Sequence, residues 1–445
     1  MIDDIPGAER LLSERPTRVR YGVLGFLCSL AFVLYIDRIC IGQAASHIEK
    51  ELGISHSAMG WVFGAFTLAY GLFEVPTGHW GDRYGSRGVL TRIVIWWSFF
   101  TALTGAMWGF WSLVVVRFLF GAGEAGALPN AARVIARWFP AGGRGPAQGL
   151  IQCLALVGGA VAPPVAAYLI EHVGWRWAFF TFGWLGVVWA VAFYRWFRDD
   201  PHSHPDVNEG ERALIASGGN EAPGGESHPP IPWGQVLSSA NVWLLGGVIT
   251  CAAFNSYMYF FWYPTYLKEA RLLTEAESGL LAGMVLTGGA FGSLSGGFLA
   301  DWLLSQTGNR RWSRSGIGCG ALASGGGLLW SSTMVDDPTL AAACTSVAAF
   351  TAFSSIASWW GAVTDISGRH LGALFGLMNS MGVPGAFVSP IFLGWFVDWM
   401  KSQGHTGRAQ WDPAFAVYSL VLLVGAVGWL FINPTRPVAD APEIE

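Results

Sequence analysis

Charge is what this chain has least of. Only 13% of its 445 residues are Asp, Glu, Lys or Arg, against about 25% in an average soluble domain. Hydrophobic residues make up 52%. A soluble fold of this size could not bury so much apolar surface, so the composition excludes one and implies a polytopic membrane protein. A surplus of positive charge is also missing. The net charge is −4, and nothing suggests a nucleic-acid partner. Cysteines 28, 40, 153, 251, 319 and 344 all fall in apolar stretches, with no CxxC and no pairing in a loop. They read as reduced packing residues. The nine histidines lie in loops or at span ends without metal-ligand spacing. No nucleophile–base constellation stands out either, so neither a metal, a cofactor nor an enzyme is expected. The N-terminal MIDDIPGAERLLSERPTRVR is polar and mixed in charge, unlike a signal peptide. No N-glycosylation sequon survives, because Asn433-Pro434-Thr435 is excluded by its proline. This points to a bacterial cytoplasmic membrane rather than a glycosylated surface.

What is abundant fits that class. The 59 glycines permit close helix contacts, and the 24 tryptophans suit the lipid–water interface. Twelve apolar spans can be drawn, each near the ~20 residues that a bilayer needs: 21–45, 58–79, 88–107, 112–136, 145–170, 175–197, 241–267, 277–303, 313–333, 338–361, 371–398 and 413–432. The expected fold is an all-α membrane protein with twelve transmembrane helices in two six-helix bundles. A segment 1–20 precedes the first bundle, 21–197. The stretch 198–240, rich in Pro, Gly and charge, is a linker with a short surface helix near Val207–Ala216. A second bundle, 241–433, and a tail, 434–445, follow. Lys and Arg are distributed unevenly. With the N-terminus inside, 17 lie in inner segments and 6 in outer ones, so both termini are expected in the cytoplasm.

The two halves repeat. Gly78-x-x-x-Asp82 closes span two as Gly297-x-x-x-Asp301 closes span eight, and Gly149-Leu-Ile-Gln152 in span five matches Gly376-Leu-Met-Asn379 in span eleven. Both matches preserve topology, as in parallel repeats related by an axis along the membrane normal. They make Gln152 and Asn379 counterparts that face one central cavity.

The few charges inside spans carry the chemistry. A charge at the centre of a membrane helix costs about 2.5–3.5 kcal/mol on the insertion scale, so it persists where it pairs, lines a wet path or binds a charged ligand. Asp37 and Arg38 lie in span one, and Arg117 and Glu124 in span four. Arginine stays charged, whereas a carboxylate can take a proton. Glu124 is a candidate proton carrier with Arg117, seven residues away on the same helix face, tuning it or holding an anion. A purely structural Arg117–Glu124 pair is the alternative. Arg38 is a candidate anchor for a carboxylate and Asp37 a second proton site, unless both are merely solvated near the outer mouth. Tyr35 and Tyr70 are candidate hydroxyl contacts, with packing the alternative for Tyr70. Glu74, Gly78, Asp82, Arg83 and Arg87 near the end of span two, with Asp301 in the other half, are assigned to gating; for Glu74 a proton site is the alternative.

GHWGDRYGSRGVL resembles the G-x-x-x-D-R-x-G-R-[RK] loop signature of the major facilitator superfamily. YIDRICIGQAASHIEKELGIS, AYGLFEVPTGHWGDRYGSR, RFLFGAGEAGALPNAARVIARWFP, GWRWAFF, YFFWYPTYL and GLMNSMG…SP resemble its anion:cation symporters over essentially the whole chain. That group includes carriers of sugar acids, phthalate-type acids, glutamate and phosphate. The resemblance implies a monomeric, proton-coupled importer of a small organic anion such as a sugar acid. It implies roles in proton and substrate handling for Tyr35, Asp37, Arg38, Tyr70, Arg117, Glu124, Gln152 and Asn379. An uncoupled facilitator or an exporter on the same fold is the alternative. One departure stands out. Family members often read D-R-x-N-L-S where this chain has D-R-I-C-I-G, with Cys40 and Gly42 in place of Asn and Ser.

Overall fold

A chain crossing hydrocarbon must satisfy its backbone hydrogen bonds internally, and long helices do so within one segment. The computed structural model describes residues 15–216, 233–367 and 370–435. In chain order its helices are α1 (Val19–Leu52), α2 (His56–Tyr84), α3 (Ser86–Thr104), α4 (Phe110–Glu124), α5 (Ala127–Trp138), α6 (Ala141–Trp196), α7 (Glu209–Ala216), α8 (Trp233–Ser238), α9 (Ala240–Phe261), α10 (Tyr263–Glu269), α11 (Glu275–Thr307), α12 (Ile317–Ser332), α13 (Pro338–Ser367), α14 (Leu371–Ser402) and α15 (Arg408–Phe431). A 56-residue α6 would run about 84 Å, far beyond a ~30 Å hydrocarbon core. It breaks at Gly174, whose φ of 82° folds it into two antiparallel crossings. The pairs α4/α5 and α9/α10 each make one crossing with a local interruption. Among the described residues the helices thus follow the twelve expected spans as two six-helix bundles.

Local chemistry sets the helix ends. Gly53 closes α1 in the left-handed region, and the Ser55 side chain accepts the Ala58 N–H to start α2. Thr274 and Glu277 form a reciprocal capping box at α11. The expected surface helix of the linker is α7. Its buried Glu211 accepts the backbone N–H groups of Val19 and Arg20 and pairs with the Arg20 side chain. The first part of the linker therefore caps α1 and belongs to the first bundle. The linker stretch 217–232 lies outside the described residues.

Glycines let the helices close up. Gly158 of α6 leaves no room for a methyl group, because an added Cβ would sit 2.4 Å from the Phe32 carbonyl of α1. Overpacking of this kind costs about 1–3 kcal/mol. Gly158→Ala is therefore expected to lower the melting temperature in detergent by several degrees, measured by thermal unfolding; an unchanged midpoint would show that this seam is slack. The bundles meet in the same manner. Gly42 of α1 packs on the Phe260–Phe261 backbone of α9, Gly60 and Gly64 of α2 on Pro390 and Ile391 of α14, and Gly279 and Gly283 of α11 on the 160–167 stretch of α6. These approaches lie in the halves of the helices away from the termini. They also explain one departure from the family pattern: a serine at position 42 would drive its Cβ to 2.6 Å from the Phe260 oxygen.

Candidate substrate site between the bundles

The four charges in spans one and four converge midway along the first bundle. Asp37, Arg117 and Glu124 are fully buried and Arg38 is 6% exposed, so a solvated outer position for Asp37 and Arg38 is excluded. The pairing differs from the helix-face expectation. Arg117 and Glu124 share a face, but seven residues is about 10.5 Å along the axis, too far for direct contact. Glu124 instead receives Arg38 from α1. The Arg38 Nε donates to Glu124 Oε1 at 2.8 Å, and Nη2 donates to the same oxygen. Gly121, one turn before Glu124, lets α4 pack closely on α2, sitting without a side chain against the Phe66 carbonyl.

Aromatic rings wall the pair. The Arg38 guanidinium lies 4.7 Å from the Tyr70 ring centroid, 5.1 Å from Tyr35 and 5.3 Å from Phe66. A cation over such faces gains about 0.5–2 kcal/mol. Tyr257 of α9 approaches from the second bundle and is an electrostatic neighbour of Arg38, Tyr35, Glu124 and Glu74. Sequence alone offers one signal for it, a tyrosine in an apolar span.

Beside this pair lies a second buried set. Arg117 stacks over Phe120 at 4.3 Å and over Phe66 at 5.2 Å, and among the described residues none of its three guanidinium nitrogens has a hydrogen-bond partner. Among the same described residues neither Asp37 oxygen nor Glu124 Oε2 has one, nor do Trp97 Nε1, Ser98 Oγ and Thr101 Oγ1 of α3. Glu124, Trp97 and Arg117 are the electrostatic neighbours of the Asp37 carboxylate. The Cys40 thiol donates to the Asp37 carbonyl and lies near Arg117. Buried charges without partners are costly. A site that holds them is suited to exchanging protons or accepting a counter-ion.

The remaining assignments divide. Asn379 of α14 is exposed and its Nδ2 donates to both Glu74 oxygens, at 3.0 and 3.2 Å. Glu74 therefore bridges the bundles. Gln152 is exposed two turns before Gly159, whose face meets Tyr35; among the described residues the hydrogen bonds of the Asn379 side chain go to Glu74 instead. Arg87 holds the last helix of the first bundle, donating its N–H to Asp199 at 2.8 Å and its guanidinium to the Tyr194 carbonyl. Asp301 lies 4.0 Å from Arg314. The side chains of Gly78, Asp82 and Arg83 lie outside the described ones. The histidines carry no metal spacing in sequence, yet Glu49, His56 and Glu269 place one ligand atom each within 4.8 Å of one another. Glu269 comes from the other half of the chain, so local spacing could not reveal the cluster.

The Major Facilitator Superfamily model matches residues 27–390. The chain belongs to this family. Its family and relatives are transporters, so this major facilitator is a transporter and not an enzyme. It is 33% identical over 427 residues to a probable sulfoacetate transporter of Cupriavidus necator, with 96% of each chain covered. It is 30% identical to a probable galactarate/D-glucarate transporter of Escherichia coli (95% of this chain, 97% of the relative). Identity to a D-galactonate transporter of Escherichia coli is 28%, over 94% and 97%. Among solved structures, a bacterial homolog to human lysosomal transporter Spinster, inward-facing and occupied, superposes with a TM-score of 0.77 at 19% identity, covering 94% of this chain and 98% of that one. A D-xylose-proton symporter gives 0.69 at 14% identity, covering 94% and 98%. These likenesses are to the major facilitator fold.

Proposed function

We propose that this transporter imports a small organic anion, of the sugar-acid class, together with protons, in a bacterial cytoplasmic membrane with both termini in the cytoplasm. The observation that carries the reading is the buried Arg38–Glu124 pair ringed by Tyr35, Phe66 and Tyr70, with Tyr257 facing it from the other bundle. Among the described residues Glu124 takes its hydrogen bonds from Arg38. When Glu124 takes a proton from outside, Arg38 is released to receive the carboxylate of the substrate, and Asp37 protonates beside Arg117. Neutralising the buried carboxylates reduces the cost of carrying them and the anion through an occluded state. The bundles then rock. On the inner side proton loss from Glu124 restores its pair with Arg38 and displaces the anion. Tyr35, Tyr70, Gln152 and Asn379 hydrogen-bond the hydroxyls, while Glu74 with Asn379, and Gly78, Asp82, Arg83, Arg87 and Asp301, serve the gating.

A second reading of the cargo, a short sulfonate, is favoured by the sulfoacetate relative. Purified protein heated with D-galactonate, D-glucarate, sulfoacetate, dicarboxylates and aromatic acids decides between them, because an anion that binds the folded state raises the midpoint, and at equal concentration a tighter one raises it more. Stabilisation by none would remove the organic-anion reading. Hydroxyl recognition has its own check. Gln152→Ala and Asn379→Ala are each expected to weaken binding of a polyhydroxy acid by roughly 2- to 12-fold, as expected for a lost hydrogen bond. Neither should affect sulfoacetate as strongly. Equal calorimetric affinities in parent and both variants would take these two residues out of the site.

A further inference from the structure

On the proposed orientation, the end of the molecule away from the termini is the outer mouth, and there the bundles are joined by charge. The ion pairs that cross between bundles among the described residues, His47–Glu275 and His56–Glu269, both lie at this end.

Glu275, at the start of α11, is the first centre. It accepts Gln43 Nε2 at 2.6 Å and faces His47 Nε2 at 2.9 Å, both from α1, and it accepts Lys268 Nζ at 3.2 Å from its own bundle. Lys268 also donates to the Gln43 carbonyl at 2.7 Å, and Gln43 Nε2 reaches Ser278 Oγ at 2.9 Å. Gln43 is fully buried and lies five residues beyond Arg38, about 7.5 Å along the helix. This centre therefore roofs the candidate site.

His56, at the start of α2, is the second centre. Its ring stands edge-on between Trp262 and Trp411 of the other bundle, which fixes the direction of both nitrogens. Nδ1 faces Glu49 at 3.0 Å and Nε2 faces Glu269 at 3.2 Å. Burial opposes a charge on this ring, but hydrogen bonds to Glu269 and Glu49 outweigh it and hold the pKa up to about 10. The imidazole is then a cation at neutral pH. With both nitrogens engaged, the ring ties Glu49 of its own bundle to Glu269 of the other. Ser57 adds a third tie, its N–H and hydroxyl donating to Asp398 of α14 at 2.7 and 2.6 Å.

We propose that Glu275 and His56 are the centres of a two-part ionic latch that holds the outer mouth closed and sets how readily the carrier returns to its outward-open state. The inference rests on the proposed orientation but on no particular cargo. Opening this mouth separates Glu275 from α1 and Glu269 from His56, while the contacts within each bundle survive.

The test uses spin labels on Lys50→Cys and Lys401→Cys, exposed outer positions on opposite bundles; the native cysteines are buried or half-buried. Distances are measured by pulsed electron resonance in liposomes without substrate. The parent should give mainly the short, closed separation. Combining Glu269→Ala with Glu275→Ala should raise the longer-distance population by several-fold to about tenfold, the scale of losing weak interfacial ion pairs. Should the double variant fail to fold, Glu275→Gln alone should produce a smaller rise in the same direction. A distribution unchanged from the parent in the folded variant overturns the latch. Since no anion is present, that result would leave the cargo reading intact, and failure of anion binding would leave the latch intact.

Discussion

Arg38→Lys is expected to lose at least about 100-fold in anion affinity, nearly as much as Arg38→Ala. The reason lies in what Arg38 does before substrate arrives. Its Nε and Nη2 both grip Glu124 Oε1, and its plane rests among Tyr35, Phe66 and Tyr70. An ammonium on a flexible stem supplies the charge but neither the planar fork nor the stacking surface. Removing one member of a buried pair costs about 3–5 kcal/mol because the other is left uncompensated, and about 2.7 kcal/mol already corresponds to 100-fold. Calorimetry on parent and variants, with a sugar acid and its neutral amide, separates a clamp from a diffuse field. If lysine binds within a few-fold of the parent, Arg38 supplies only potential. If acid and amide bind alike, it is no carboxylate anchor.

Glu124→Gln should abolish uptake driven by a pH gradient while sparing exchange of labelled for unlabelled anion. Gln cannot carry a proton, yet its side-chain oxygen still accepts from Arg38, so the shape of the site survives and the coupling does not. Exchange at no less than about a third of the parent rate, with accumulation reduced to the level of empty liposomes, is the expected pattern; a factor of three in rate is only ~0.65 kcal/mol in barrier. Asp37→Asn should impair the same coupling, since Asp37 is the second carboxylate of this buried set and, among the described residues, neither of its oxygens has a hydrogen-bond partner. Accumulation by Glu124→Gln up a pH gradient would move the essential proton site elsewhere.

How much of this was readable beforehand depends on the range of each interaction. Apolar runs of bilayer length are a local property, so the twelve crossings were legible, including the divided α6, where Gly174 supplies the turn. The internal repeat placed Asn379 between the halves, where it meets Glu74. Which charge faces which was not legible. Helical periodicity put Arg117 and Glu124 on one face, and only the approach of α1 to α4 decides that Glu124 goes to Arg38 and leaves Arg117 against Phe120. The outer clusters were invisible for the same reason. Gln43 and Glu275 stand 232 residues apart, and the glycines that bring their helices together have no side-chain chemistry to announce it. Gly42 could be seen only as a departure from the family pattern; the Phe260 backbone explains it.

The central claim is that proton entry through Glu124 drives anion import, and parent protein in liposomes tests it most directly. D-galactonate, D-glucarate and sulfoacetate are supplied outside at acidic pH with an alkaline interior, and internal anion and internal pH are followed together. The account predicts that at least one anion rises above its external concentration, that the interior acidifies as it enters, and that a protonophore collapses the accumulation. Entry that stops at the external concentration whatever the gradient, with no acidification, would contradict it.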